Sequence, residues 1–179
     1  MALTVAKKTP VAAKTLTTRR DSHEVRVRTA ARDGQYHLIA TRTLAAGEFL
    51  MTIDGELACV PCRHSVQVGP QLHIAPPAGL TRNDAHDLYL WRFLNHSCKP
   101  NCMVVGRDLV AIAGIAVGEE VTLDYNSNEY DMAAPFRCHC GHCDGANIRG
   151  YRHLSPAERK RRQHRLAKYL REALDQTTV

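Results

Sequence analysis

From Val25 onward, apolar and polar residues alternate over short stretches: VRVRTA, YHLIATRTL and GEFLMTI, separated by Asp33-Gly34 and Ala46-Gly47. A period of two puts successive side chains on opposite faces of a strand, and the Gly-containing pairs bend the chain, so this region predicts β-strands joined by tight turns. HSVQVG and QLHIA continue the pattern across a turn at Gly69-Pro70, and Pro76, Pro77 and Gly79 open a loop. CMVVG and DLVAIAGI, parted by Gly106-Arg107-Asp108, predict a hairpin, and GEEVTLDY a further short strand. One internal helix is expected, over 83–94 (NDAHDLYLWRFL), capped by Asn83 or Asp84, with Leu88, Trp91 and Leu94 as its buried stripe.

Ser155-Pro156-Ala157-Glu158 carries the signals of a helix start: a capping serine, a proline in the first turn and a glutamate able to close a capping box. Leu166, Leu170 and Leu174, with Ala167 and Ala173, form an apolar stripe opposite a basic face. The expected class is mainly β with few helices, plus this C-terminal amphipathic helix. The organisation read from the chain is a flexible basic arm at 1–24, a main domain at 25–130, a cysteine-bearing segment at 131–153 and the helix at 154–179.

Composition narrows the setting. A chain of 179 residues with 44% hydrophobic content can build one domain with a real core. No apolar run approaches the roughly 20 residues that cross a bilayer, and the start lacks the apolar stretch of a secretory signal. A soluble intracellular protein is expected, cytoplasmic in a bacterium and nuclear or cytoplasmic in a eukaryote. Net charge is +6 and the pI is near 9.1, which suits an acidic partner, though much of the excess lies at the two ends. The run ERKRRQHR reads as the wet face of a docked helix; direct nucleic-acid binding fits the charge but is not required.

Seven cysteines change the picture, because a reducing compartment favours metal ligation or free thiols over disulfides. Cys138, Cys140 and Cys143 sit in one tight loop. A structural zinc takes four ligands in a tetrahedron, so these three need a fourth from elsewhere, with His139 and His142 as substitutes within the loop. Free thiols without metal are the alternative. Cys59-Val60-Pro61-Cys62 has no second pair to complete a site and reads as two ordinary cysteines.

RFLNHSCKPN at 92–101, GEEVTLDYN at 118–126 and the cysteine cluster occur in that order, behind ATRTLAAGEFLMTIDGEL. Together they resemble the paired signature and post-SET zinc segment of SET-domain protein-lysine methyltransferases, over about Gly34 to Tyr151. The resemblance implies small sheets around a pseudoknot in which the NHS and DY segments thread past each other. It implies S-adenosylmethionine as cofactor, held by Asn95 and His96 with Tyr36 and Arg92 assisting. Tyr125 matches the catalytic tyrosine, Ile53 and Leu123 the walls of the lysine channel, and Cys98 the fourth ligand of a structural Zn2+. The implied partner is a protein presenting a lysine, with histones as the best-known class, and the implied state a monomer.

The chemistry suits these residue types. Methyl transfer to an amine is an in-line displacement, which requires alignment and a neutral nucleophile. A free lysine, with a pKa of about 10.4, is almost wholly protonated at neutral pH. Burial in a narrow apolar channel lowers that value, and holding the reactants about 3–3.5 Å apart supplies much of the rate. Four positions depart from the family pattern. Gln35 and His37 stand where glycines usually flank the cofactor loop, Ile53 where a channel tyrosine is common, and Leu123 where Phe or Tyr limits the number of methyls. The final gap between cysteines is also short. Leu123 predicts an enzyme not restricted to one methyl. The competing readings are a catalytically weak SET domain serving as a binding or scaffold module, and a small zinc protein binding nucleic acid through its basic ends.

Overall fold

The structure, a computed structural model, describes residues 27–32, 34–81 and 88–175. The basic arm therefore lies outside the described residues, as do Asn83 and Asp84, the caps expected for the internal helix.

Strands β1 (Val27–Arg32) and β2 (Gln35–Ala40) form an antiparallel hairpin, with Val27 opposite Ala40. Gly34 turns it at a φ of 75°, a conformation that glycine adopts without steric cost. Alternation puts Leu38 and Ala40 into the core, as the pattern predicts. A three-stranded sheet is built from β4 (Glu56–Ala58), β5 (Val66–Gly69) and β6 (Leu72–Ala75), with β6 in the centre.

The sheet that organises the molecule has five strands. β3 (Phe49–Thr52), β7 (Asn95–His96), β8 (Cys102–Val105), β9 (Asp108–Ala111) and β10 (Thr122–Leu123) lie in the order β3-β9-β8-β10-β7. The β8–β9 pair is the expected hairpin. β10 slots in parallel between β7 and β8, which are consecutive in the chain, so the two signature segments interleave. Asn101 locks the crossing: its Oδ1 accepts from Thr122 N at 2.8 Å, and its Nδ2 donates to the Glu120 carbonyl at 2.8 Å.

A single helical turn, α1 (Tyr125–Asn128), follows β10, and β11 (Phe136–Arg137) pairs with β12 (Asn147–Ile148) around the cysteine loop. In the described part of the expected internal helix, Leu88 is helical, Tyr89 interrupts the run and Leu90–Phe93 form a 3-10 turn. Trp91 and Leu94 are buried as expected, but Leu88 is 51% exposed. Tyr89 has a non-helical backbone (φ −126°, ψ 51°), and this break takes Leu88 off the stripe.

The C-terminal helix starts at Ser155 with the predicted capping box, but it is two helices, α2 (Pro156–Arg162) and α3 (Lys168–Asp175), with a 3-10 turn between them. Leu166 is extended at the interruption, which lets it and Leu170 bury against Tyr151 and Leu154 in a second small core. The side chains of Ala173 and Leu174 lie outside those described. No helix among the described residues is long and apolar enough to cross a membrane.

Candidate active site and metal centre

The interleaved strands bring Asn95, His96 and Tyr125 together. Thr122 pairs with Asn95 and Leu123 with His96, so the chain leaving β10 places Tyr125 beside the imidazole. Tyr125 N–H donates to His96 Nδ1 at 3.2 Å, and the phenol donates to the Leu94 carbonyl at 2.5 Å. The rings of His96 and Tyr125 meet edge-on at 5.3 Å, and Phe136 of β11 closes the group at 5.7 and 6.0 Å from them. Burial pushes the Tyr125 hydroxyl well above the ordinary phenol range, so it stays protonated and remains a donor. Burial also lowers His96 to about 4, against the pull of Asp124. The imidazole is therefore neutral. Because its Nδ1 accepts, its Nε2 carries the hydrogen and faces Cys98 Sγ at 3.4 Å.

Asn95 is held by a polar cluster that the sequence alone does not assemble. Its Nδ2 donates to the Tyr36 carbonyl at 3.2 Å and to Glu120 Oε1 at 2.9 Å. Glu120 also meets His37 Nδ1 at 2.7 Å and Arg32 at 3.1 Å. Burial alone would raise the Glu120 carboxyl, but hydrogen bonds from Asn95 and His37 and the charges of His37 and Arg32 hold it below its usual range. His37 thus folds onto Glu120. Tyr36 packs its ring on Phe93, with centroids 5.4 Å apart.

Two cavities meet at Tyr125. An open cleft of about 1350 Å³ runs along Arg92, Asn95, His96, Glu120 and Phe136. A smaller cavity of about 100 Å³ is walled by Trp91, Leu94, Leu123 and Glu129. Tyr125 and Arg92 line both. Arg92 Nε is buried without a hydrogen-bond partner. Ile53 is fully enclosed in the main core with Leu94 and Leu123 and lines neither cavity.

The four thiols of Cys98, Cys138, Cys140 and Cys143 lie within 4.8 Å of one another, with 3.9 Å between Cys98 and Cys138. Zinc–thiolate bonds of about 2.3 Å in a tetrahedron place sulfurs roughly 3.8 Å apart. The donor set fits such an ion. Backbone N–H groups of Cys98 and His142 point at Cys140 Sγ, each at 3.4 Å. Burial pulls the Cys140 thiol up, but those N–H donors outweigh it and hold it at about 7. Burial raises Cys138 to about 11. Nitrogens of His139 and His142 are not in the cluster, and Cys59 and Cys62 are exposed and unpaired.

The run ERKRRQHR is not wholly a wet face, because two of its arginines point inward. Asp124, 1% exposed, accepts at Oδ2 from Arg162 Nε and an Arg165 amino group, each at 2.9 Å, and from Ser127 Oγ at 3.0 Å. Its Oδ1 caps α1 through Asn126 N. Ala167 N donates to the Ser127 carbonyl at 2.9 Å, and the Tyr169 hydroxyl to the Asn128 carbonyl. The turn that carries Tyr125 is thus fastened to the C-terminal segment.

The structure brings Asn95, His96, Tyr125, Leu123 and Arg92 around the two cavities and Cys98 into the thiol cluster, while Tyr36 contributes a carbonyl. Sequence reasoning missed Glu120, Phe136, Glu129 and the Asp124 clamp, and it marked His37 only as bulk at the cofactor loop, because their partners lie far apart in the chain. GEE and DY were the only local signals.

Residues 35–126 match the family described as SET domain. The chain is 44% identical over 66 residues to histone-lysine N-methyltransferase ASHH2 of Arabidopsis thaliana, and 35% identical over 85 residues to methyltransferase flvH of Aspergillus flavus. It is 35% identical over 121 residues to an H3 lysine-36-specific histone-lysine N-methyltransferase of Yarrowia lipolytica. The matched regions cover 31%, 43% and 59% of this chain but only 4%, 39% and 16% of those relatives. The methyltransferase domain of human histone-lysine N-methyltransferase SETMAR overlays with a TM-score of 0.45 at 17% identity, over 64% of this chain and 54% of that one. The family match runs from β2 through Tyr125, across both interleaved segments, and on that ground the chain belongs to the SET domain family.

Proposed function

We propose that this chain is an S-adenosylmethionine-dependent protein-lysine N-methyltransferase with a structural zinc. The observation that carries the reading is the place of the Tyr125 hydroxyl, 2.5 Å from the Leu94 carbonyl where an open polar cleft meets a small, partly apolar cavity.

The cleft suits a zwitterionic nucleoside cofactor. Arg92, with its unpartnered buried Nε, offers a donor for a carboxylate, and the Asn95–Glu120 pair and the His96–Phe136 edge offer polar and aromatic contacts. S-adenosylmethionine, when bound there, supplies an electrophilic methyl on a sulfonium. The chain's own residues do the rest. Trp91, Leu94 and Leu123 exclude water from the lysine side chain and so favour its neutral amine. The Tyr125 hydroxyl and the Leu94 carbonyl fix the direction from which the nitrogen approaches. Neutral His96 holds the Tyr125 backbone and touches the cysteine centre, which would seat Zn2+ on Cys98, Cys138, Cys140 and Cys143 and pin the Phe136 flap over the cleft. Leu123 leaves room at the amine, and more than one methyl is added.

The acceptor is a lysine of another protein, and histones are the first candidates because several relatives are named for histone H3 lysine 36. Nuclear or cytoplasmic residence follows from such a substrate. Labelled S-adenosylmethionine incubated with core histones and with whole lysate should give labelled protein, and Tyr125→Phe should cut the rate of labelling by about 10²–10³-fold. Cofactor binding by calorimetry with no transfer to any protein would instead favour a SET domain that serves as a binding module.

A further inference from the structure

We propose that Glu129 receives the proton of the incoming lysine ammonium, an inference that rests on the methyltransferase reading above. Glu129 stands one helical turn after Tyr125, its N–H bonded to the Tyr125 carbonyl at 2.7 Å. Glu129 is the extended C-cap of the α1 turn, and it and Tyr125 both line the small cavity that also holds Leu123 and Trp91.

The carboxylate is unequally held. Oε1 accepts from Gln67 N at 2.8 Å and from Asn128 Nδ2 at 3.1 Å. Oε2 lies 4.0 Å from His73 Nε2, beyond hydrogen-bond reach. Among the described residues, His73 from β6, Tyr125 from α1 and Tyr169 from α3 face it, and β5 supplies the Gln67 amide. Burial lowers His73, so that imidazole is neutral and does not neutralise the carboxylate. Burial also lifts Glu129 to about 7, partly offset by the Gln67 and Asn128 hydrogen bonds. A base that titrates near the working pH suits proton transfer.

The cavity also carries Arg63, His64 and Arg92. The two arginines disfavour an ammonium that stays charged, burial and those arginines keep His64 neutral, and the one acidic side chain among the cavity's described walls offers the proton a destination. In the step, one N–H bond of the ammonium breaks and its electron pair stays on nitrogen. An O–H bond forms on Glu129, leaving a neutral amine beside Tyr125. Glu129 returns the proton to solvent once the channel empties. Nothing is oxidised or reduced.

The test has two readouts. In the first, the Glu129 side-chain carboxyl is followed by 13C NMR as pH changes, with and without n-butylammonium as a lysine-side-chain probe. The midpoint should lie near 7 and move down when the probe is present, because a nearby cation favours the carboxylate. In the second, methyl transfer to core histones is compared for the wild type and Glu129→Gln, whose amide oxygen can still accept from Gln67 N and Asn128. The variant should lose about 100-fold in kcat at pH 7 and approach the wild type near pH 10, where free amine is abundant. Superimposable pH profiles, or a Glu129 midpoint indifferent to the amine, overturn the inference. Wild type that transfers no methyl while Glu129 still responds to the amine overturns the methyltransferase reading and supports the carboxylate–ammonium contact.

Discussion

Arg162 reaches from the end of α2 into the interior and donates its Nε–H to Asp124 Oδ2 at 2.9 Å, directly beneath the backbone of Tyr125. Removing one member of a buried pair strands the other, at a cost of about 3–5 kcal/mol. Asp124→Ala leaves Arg162 and Arg165 without their carboxylate, and chemical denaturation should report a loss of that size. A change below 1 kcal/mol would show that water solvates the clamp.

Tyr125→Phe removes one hydroxyl that bonds a backbone carbonyl and lines both cavities. The folded state should lose only about 1 kcal/mol, the ordinary worth of one hydrogen bond. The kcat of methyl transfer should fall by about 10²–10³, the usual cost of one oriented donor, while cofactor affinity by calorimetry changes little. Equal losses in affinity and kcat would give the hydroxyl a binding role instead.

Zinc should be present at one ion per chain by plasma mass spectrometry and should leave with a strong chelator. Cys138→Ser removes a buried ligand of the cluster, and the variant should purify without metal. Because Cys98 touches His96 and Cys138 stands two residues after Phe136, metal loss should also weaken cofactor binding. Full metal content in the serine variant would mean that the four thiols are not the ligands.

Glu129 gives the fold a pH dependence of definite sign. Its folded-state pKa is raised from 4.5 to about 7, so the folded chain binds more protons than the unfolded chain between those values. Stability from this group therefore falls as pH rises through that window, and the loss is complete above about 7. Glu129→Gln removes the effect. The unfolding free energy of the variant relative to wild type, by chemical denaturation, should rise from pH 5 to pH 8 by at most about 3 kcal/mol. A pH-independent difference would contradict the burial of the charge.

The proposed role of Leu123 in setting the product is open to a direct test. Mass spectrometry of a methylated substrate should show di- or trimethyllysine with the wild type, and Leu123→Tyr should shift the product toward monomethyllysine by filling the cavity wall. Monomethyllysine alone from the wild type would remove Leu123 from that role.

The strands, the β8–β9 hairpin, the Ser155 cap and the three signature strings were legible in the chain, because alternation, turn glycines and a tight cysteine loop are local patterns. RFLNHSC and LDY can be read as parts of one site through their resemblance to the SET-domain signature. What only the tertiary structure decided are relationships across distance. Arg162 and Arg165 look like surface charge until Asp124 appears beside them, and His37 looks like an obstruction until it folds onto Glu120. Glu129 carries no local sign of burial at all. A residue's neighbours in sequence fix its backbone tendencies, but its charge state and role depend on the dielectric and the partners that packing supplies. Those come from segments tens of residues away.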